Sequence, residues 1–435
     1  VGKQNKNTNQ PKPRVAPASK PVNVPQTPKG FEIKRPLLWL AAIVLVVYAA
    51  SFSLGYTDLD DTIFIRDLFQ YNEDWSNLVT SFHRGVFDAV KDTYYRPLFL
   101  DSMILNYHLS QLDILSYHIF NVLFHMVSVG LLFTLLKKLG LKELHAFLLA
   151  MIFAVHPVLT QAVSWIPGRN DTMLAMFTLA FLIFSIDYEQ DGKIRSLALS
   201  ILFLLCAFFT KETAVFDAPI AFVLLVYLRK KNWLDKRNII QYACWVGAFV
   251  VWYAVRANAT IKTSNIAFGT VMKDFVERSP VVVQYLGKIF LPFNLNVLPI
   301  LEDTVYYYGI AAIIILAAII YLAKNKDIRM LIAGFMVFIL FLLPVLFVPK
   351  ALNKELFEHR LYLPMIGILL ILPQTVLIKN NLSDKKLFAY FSVAAAILAT
   401  INIFHQQDFK DPLTFWEHAA EACGNDVRRP YKRTR

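Results

Sequence analysis

From Pro36 to Thr57 no charged residue interrupts the chain, and the same holds for 119–136, 146–168, 304–323, 330–349, 361–378 and 387–407. A helix needs about 20 apolar residues to cross a hydrocarbon layer, so each run predicts a spanning helix. Four shorter apolar runs, 172–186, 196–210, 213–228 (interrupted by Asp217) and 239–255, bring the predicted total to eleven. Residues 281–301 are also apolar but contain Pro292, Asn294, Asn296 and Pro299. If this stretch crossed, the basic turn at 324–329 would fall outside, so it reads as a re-entrant or surface-lying segment within a long outer loop, 257–303.

Composition agrees with this pattern. Of 435 residues, 56% are hydrophobic and 17% charged, and the mean hydropathy is +0.47; a soluble domain carries about a quarter charged residues. The expected fold class is an all-α polytopic membrane bundle. The net charge of +12 does not point to nucleic acid, because the bases gather at the edges of the apolar runs rather than in a patch. Cys206, Cys244 and Cys423 have no metal-ligand spacing and suggest no disulfide framework.

Charge also orients the bundle. Residues 1–35 are Pro-rich and hold eight Lys or Arg against the single acid Glu32, which predicts a disordered basic cytoplasmic tail. The first span then delivers 58–116 outside, a loop with ten acids and four strong bases. Lys137, Lys193, Arg229, Lys324 and Lys379 open or mark five basic turns on the cytoplasmic side. Eleven spans leave 36–407 as the membrane domain and put 408–435 outside. Within the first outer loop, Trp75, Leu78, Val79, Phe82, Val86, Phe87 and Val90 recur at helical spacing with Asn77, Ser81, Arg84, Asp88 and Lys91 between them. That periodicity predicts an amphipathic helix, lying in the interface or packed on the tops of the spans.

Ionisable groups near membrane depth cost energy and are functional candidates by default. In this topology they gather at the outer face. Asp60 and Asp61 follow the first span, Tyr95 and Arg96 precede the second, and His156, Arg169 and Asp171 flank the third and fourth. Lys211 and Glu212 join the fifth to the sixth, while Glu358, His359, Arg360 and Tyr362 open the tenth. A sugar on a polyprenyl phosphate already has a good leaving group, so one carboxylate suffices as base toward an acceptor hydroxyl. Arg or Lys stabilises the departing phosphate. Asp60 or Asp61 with Arg96, Arg169, Lys211 and Arg360 supplies that inventory. Structural readings compete: Asp61 as a cap for a helix starting at Thr62, Arg169 with Asp171 and Lys211 with Glu212 as interfacial pairs, Asp217 as a partner of Lys211, and His118, Asn121 and His125 as interhelical hydrogen-bonding residues. No Asp/Glu/His cluster has the form of a metal site, and neither a metal nor another cofactor is expected.

The motifs together resemble the transmembrane part of the O-mannosyltransferase-like glycosyltransferases of the GT-C architecture, especially the tetratricopeptide-repeat-containing group and its bacterial relatives. The stretches that carry the resemblance are Asp60-Asp61, YYRPL at 94–98, YHIFNVLFH at 117–125, HPVLTQAVSWIPGRND at 156–171, FTKETAV at 209–215 and EHRLYLP at 358–364. The resemblance implies an active site open to the lumen or periplasm of a multi-pass inner-membrane protein. It also implies a polyprenyl-phosphate-linked sugar as donor and hydroxyls of exported proteins as acceptors, with Asp60 as base and Asp61 its neighbour. By charge, Arg96, Arg169, Lys211, His359 and Arg360 are assigned to the donor phosphate; Tyr95, His156 and Tyr362 join them in binding the lipid-linked sugar, supported by Asp171, Glu212 and Glu358. DPLTFWEHAAEA at 411–422 looks like the lead-in to a repeat, and a separate acceptor-presenting partner is an alternative to repeats in the same chain. A lipid or polysaccharide acceptor, or a transporter lined by charged pairs, remain as other readings.

Overall fold

The computed structural model describes residues 1–2, 32–87, 94–260, 267–303, 305–350, 352–379 and 382–421. Among them there is no strand, as expected for a chain whose apolar runs must satisfy their own backbone in lipid. Leu115–Lys138, Ile166–Asp191, Lys236–Ala259, Ile328–Phe347 and Asp384–Phe409 are each long and apolar enough to cross a membrane. Glu143–Val155 and Pro157–Ser164 add a sixth if counted as one span bent by 54°. The bend falls where Pro157 removes a backbone donor. Shorter apolar helices are Pro36–Val47, Ile194–Thr210, Tyr307–Tyr321 and Pro364–Gln374. The chain is a multi-pass membrane protein.

Glu143–Val155 is the centre of the bundle, with every residue from Ala146 to Val155 buried; a helix that is apolar all round belongs inside. Leu115–Lys138, Pro36–Val47 and Asp384–Gln406 pack around it. Ile310, Ile314, Phe335, Val393, Ile397 and Phe404 face outward, as lipid-facing side chains do. Small residues set the closest approach: a Cβ on Gly334 would lie 2.7 Å from the Gly367 carbonyl oxygen, so Ile328–Phe347 and Pro364–Ile371 meet backbone to backbone.

Two local expectations change and a third gains detail. The periodic stretch after Trp75 is not one helix. It coils only through Asn77–Thr80 and Ser81–His83, and Arg84 is extended. Gly85 follows, and the Val86 amide pairs with the Tyr94 carbonyl at 3.0 Å while Val86 itself is buried. Asp88, Val90 and Lys91 lie outside the described residues. Asp217 is buried and accepts a bond from Thr178 at 2.8 Å, not from Lys211. Residues 281–301 form one ten-residue helix, Val281–Phe290, about 15 Å long and so too short to cross alone. Past the last apolar helix, Pro412–Glu421 docks Phe415 and Ala419 against Leu54, Trp165 and Val297.

Candidate active site

Asp60 and Asp61 begin a helical turn, Asp60–Thr62, directly after the first apolar helix. Their environments differ sharply. Asp61 is buried, and its carboxylate accepts bonds from the Thr57 amide at 2.6 Å, the Thr57 hydroxyl at 2.9 Å, the Leu59 amide at 3.1 Å and the Thr62 amide at 3.0 Å. Burial raises its carboxyl above the ordinary range and these four donors oppose the rise. Asp61 is thus committed to holding the turn. Asp60 accepts no hydrogen bond from the described residues and faces a cavity of about 410 Å³. Burial pushes its carboxyl up to about 6, the Asp61 charge adds to the rise, and Arg96 opposes it.

The cavity draws its charged lining from segments far apart in sequence: Asp60, Arg96, Asp171, Lys211, Glu212, Arg256, His359 and Arg360. Two acids hold two bases. Lys211 Nζ sits 2.7 Å from both oxygens of Asp171. Arg96 Nε donates to Glu212 at 3.1 Å while the Tyr95 amide donates to the other Glu212 oxygen at 2.6 Å. The terminal nitrogens of Arg96 donate to no described residue, and its guanidinium lies 4.8 Å over the Tyr94 ring. Arg360 donates to the Glu355 carbonyl at 2.9 Å and lies 5.5 Å over Phe357. Burial, with Lys211, Arg360 and Arg96 nearby, holds the His359 imidazole well below its ordinary pKa. It stacks on Phe357 and Trp165 and meets the Gln161 side-chain oxygen at 3.1 Å.

Other candidates lie behind the cavity. Arg169, fully buried, spends its guanidinium on Asn121 at 2.7 Å, Asn106 at 2.5 Å, Ser102 at 3.2 Å and the Tyr117 carbonyl at 2.7 Å. It ties Pro97–Ser110 and Leu115–Lys138 to the start of Arg169–Asp191, and its donors are not available to a phosphate in the cavity. The His156 ring accepts the Val158 amide at 3.2 Å and donates to the Ile289 carbonyl at 2.9 Å, which fixes it neutral at the bend. The Tyr362 hydroxyl is 2.6 Å from His125 in the bundle core, and Tyr95 donates to the Phe82 carbonyl at 3.0 Å. Glu358 pairs instead with buried Lys288 at 2.5 Å and with His405 at 3.4 Å. Lys288 and His405 outweigh burial and keep the Glu358 carboxyl below its ordinary value. The structural roles of Arg169, His156 and Tyr362 follow from saturation of their polar atoms, which no sequence spacing reveals.

Arg256 was the cation that sequence reasoning passed over. It follows the 239–255 run at the outer end, so position alone could have marked it. Lys288, inside the 281–301 stretch, gave a weaker signal. Chemically, the arrangement presents to a half-enclosed space several strong bases and, among the described residues, one carboxylate without a hydrogen-bond partner. One wall is apolar, formed by Phe341, Pro344, Val345, Val348 and Leu352. Among the described residues no group of three His, Cys, Asp or Glu side chains is disposed to hold a metal.

Residues 103–256 match the family model described as dolichyl-phosphate-mannose-protein mannosyltransferase. That stretch includes Asp171, Lys211, Glu212 and Arg256 but neither the Asp60 turn nor the 358–364 segment. The human protein O-mannosyl-transferase TMTC3 is 31% identical over 178 residues, 40% of this chain and 18% of that protein. Mouse protein O-mannosyl-transferase TMTC1 is 33% identical over 173 residues, 37% of this chain and 18% of its own length. The Caenorhabditis elegans protein O-mannosyl-transferase F38B6.6 is 32% identical over 169 residues, 37% of this chain and 23% of that protein. The chain thus spans about a fifth of the length of the curated relatives it matches. The resemblance first drawn from the motifs is borne out.

Proposed function

We propose that this chain is a glycosyltransferase that moves mannose or a similar hexose from a polyprenyl phosphate to Ser or Thr hydroxyls of exported proteins. The reading rests above all on Asp60, a carboxylate that accepts no hydrogen bond from the described residues and is raised to about 6 in a cavity lined by Arg96, Lys211, Arg256 and Arg360. A base with pKa near the working pH is well suited to take the proton of an acceptor hydroxyl. Attack on the anomeric carbon from the face opposite the phosphate breaks the sugar–oxygen bond with inversion. The phosphate leaves as a dianion. Arg96, whose terminal nitrogens donate to no described residue, and Arg360 would stabilise that charge, while Lys211 and Glu212 keep the pairs around it in place. The apolar wall suits the first isoprene units of the donor.

In this reading the protein has eleven spans, the six of sufficient length and five shorter ones, 36–57, 196–210, 213–228, 304–323 and 361–378. The amino-terminal tail is cytoplasmic, and the cavity and 408–435 lie outside the inner membrane. The names of the relatives favour a protein acceptor over a lipid or polysaccharide, and the charges sit at one end of the helices rather than at mid-depth, which disfavours transport. Proteomics of exported Ser- and Thr-containing peptides from cells with and without the gene tests the assignment. A hexose mass that disappears with the gene is expected; an unchanged protein set with a changed lipid or polysaccharide would move the acceptor to the other class.

A further inference from the structure

Helix Phe268–Arg278 turns charges toward the bundle and apolar side chains away from it. Asp274 and Arg278 are buried, while Phe268 and Val276 are 76% and 65% exposed. Asp274 accepts the Lys350 amide at 2.8 Å, Glu277 pairs with the Lys350 ammonium at 2.8 Å, and Arg278 donates to the Asn353 carbonyl. These bonds tie the inner polar edge to the chain around Lys350 and Asn353. They also fix the loop after Ile328–Phe347, where Leu352 and Asn353 line the cavity.

Phe268, Met272 and Val276 recur at helical spacing and form one stripe. The stripe runs on into Phe275, whose ring stacks on Phe347 with centroids 4.6 Å apart. Phe347 ends a helix long and apolar enough to cross the membrane, and that helix shows Ile332, Phe335 and Met336 to the outside. The exposed stripe therefore continues a lipid-facing surface at the level where a span ends. Lys273, its side chain 73% exposed, and Glu277 occupy the flanking edge, on the far side of Val276 from Phe268. One edge apolar and one charged, at the end of a span, is the pattern of a helix lying flat in the interface.

We propose that Phe268–Arg278 lies in the outer membrane–water interface, with Phe268, Met272 and Val276 among the lipids, and that from there, through Lys350 and Asn353, it holds the wall of the cavity formed by Leu352 and Asn353. The partner of this face is the bilayer surface. Only the consequence for donor binding rests on the function proposed above. With the helix seated in lipid, the wall beside the apolar side of the cavity is held; with the helix lifted, Leu352 and Asn353 lose their anchor.

The test uses the full chain with Cys206, Cys244 and Cys423 changed to Ser, reconstituted in vesicles of phosphatidylethanolamine and phosphatidylglycerol. A nitrobenzoxadiazole probe is attached at Val276→Cys or Lys273→Cys. Nitroxide lipids should quench the probe at 276 at least roughly threefold more than at 273, as immersion of one helix edge requires. Equal quenching, or stronger quenching of the 276 probe by aqueous iodide, overturns the placement. In the same vesicles Val276→Asp should weaken binding of a polyprenyl monophosphate roughly tenfold, with Lys273→Ser unchanged. Wild-type affinity in Val276→Asp would refute the coupling to the cavity. If the wild-type protein binds no polyprenyl phosphate, the coupling and the function fail together, while quenching still decides where the helix lies.

Discussion

Asp60 and Asp61 are chemically identical neighbours with opposite expected responses to the same substitution. In Asp61→Asn the side-chain oxygen can keep the three donors that reach Oδ1, the Thr57 hydroxyl and the Leu59 and Thr62 amides. The new amide nitrogen then faces the Thr57 N–H, which sat 2.6 Å from Oδ2. One buried donor loses its acceptor and meets another donor, and the remaining bonds lose their charge assistance. An unsatisfied buried donor costs about 1–3 kcal/mol, and the weakened charged bonds bring the loss to about 2–4 kcal/mol. Asp60→Asn removes a charge that burial already disfavours and breaks no hydrogen bond among the described residues, so its stability should match or slightly exceed wild type. Detergent-solubilised variants carrying a fluorescent fusion, heated and then passed over a sizing column, measure the difference. Asp61→Asn should melt several degrees below wild type and Asp60→Asn should not. Equal melting of the two variants, or a larger loss in Asp60→Asn, would refute this division of roles.

If Asp60 is the base, it works ionised, so kcat/KM should rise with pH through about 6 and level off above it. Arg96 holds that value down, so Arg96→Gln should move the profile toward higher pH as well as weaken donor binding; an unmoved or acid-shifted profile would contradict the assignment. Arg169→Lys cannot replace the planar set of donors to Asn121, Asn106 and Tyr117, and should cost roughly 3 kcal/mol or more of stability with donor affinity in surviving protein unchanged; a selective loss of donor affinity would return Arg169 to the site. Asp171→Asn leaves Lys211 buried near Arg96 and Arg360 without its counter-charge, and a double-mutant cycle with Lys211→Met should show coupling of about 2 kcal/mol or more; additivity would mean the pair is not a unit.

Apolar runs and basic turns were legible in the sequence because lipid imposes them on every spanning residue. The gathering of Asp60, Arg96, Asp171, Lys211, Glu212, His359 and Arg360 was legible too, since each lies at the end of a run or in a loop that the charge rule puts on one side. What composition could not reveal was which charges were already spent. Arg169 and Arg96 look alike in sequence, yet one has oxygen acceptors from four residues around it and the other, at the cavity lining, has two terminal nitrogens that donate to no described residue. The choice of Asp60 over Asp61 as the proposed base came from the resemblance; the physical difference between the two, Thr57 four residues upstream clasping Asp61, required the turn geometry. The helix expected after Trp75 failed because periodicity is blind to the break at Arg84 and Gly85.

The central claim, that Asp60 takes the acceptor proton while the surrounding cations hold a lipid phosphate, is tested most directly by single-turnover transfer in purified, reconstituted protein loaded with polyprenyl-phosphate mannose and a Ser/Thr peptide. Loss of a general base should slow Asp60→Asn by about 10²–10⁴-fold, with donor affinity essentially retained. Transfer by Asp60→Asn at the wild-type rate, from protein of wild-type stability, would contradict it.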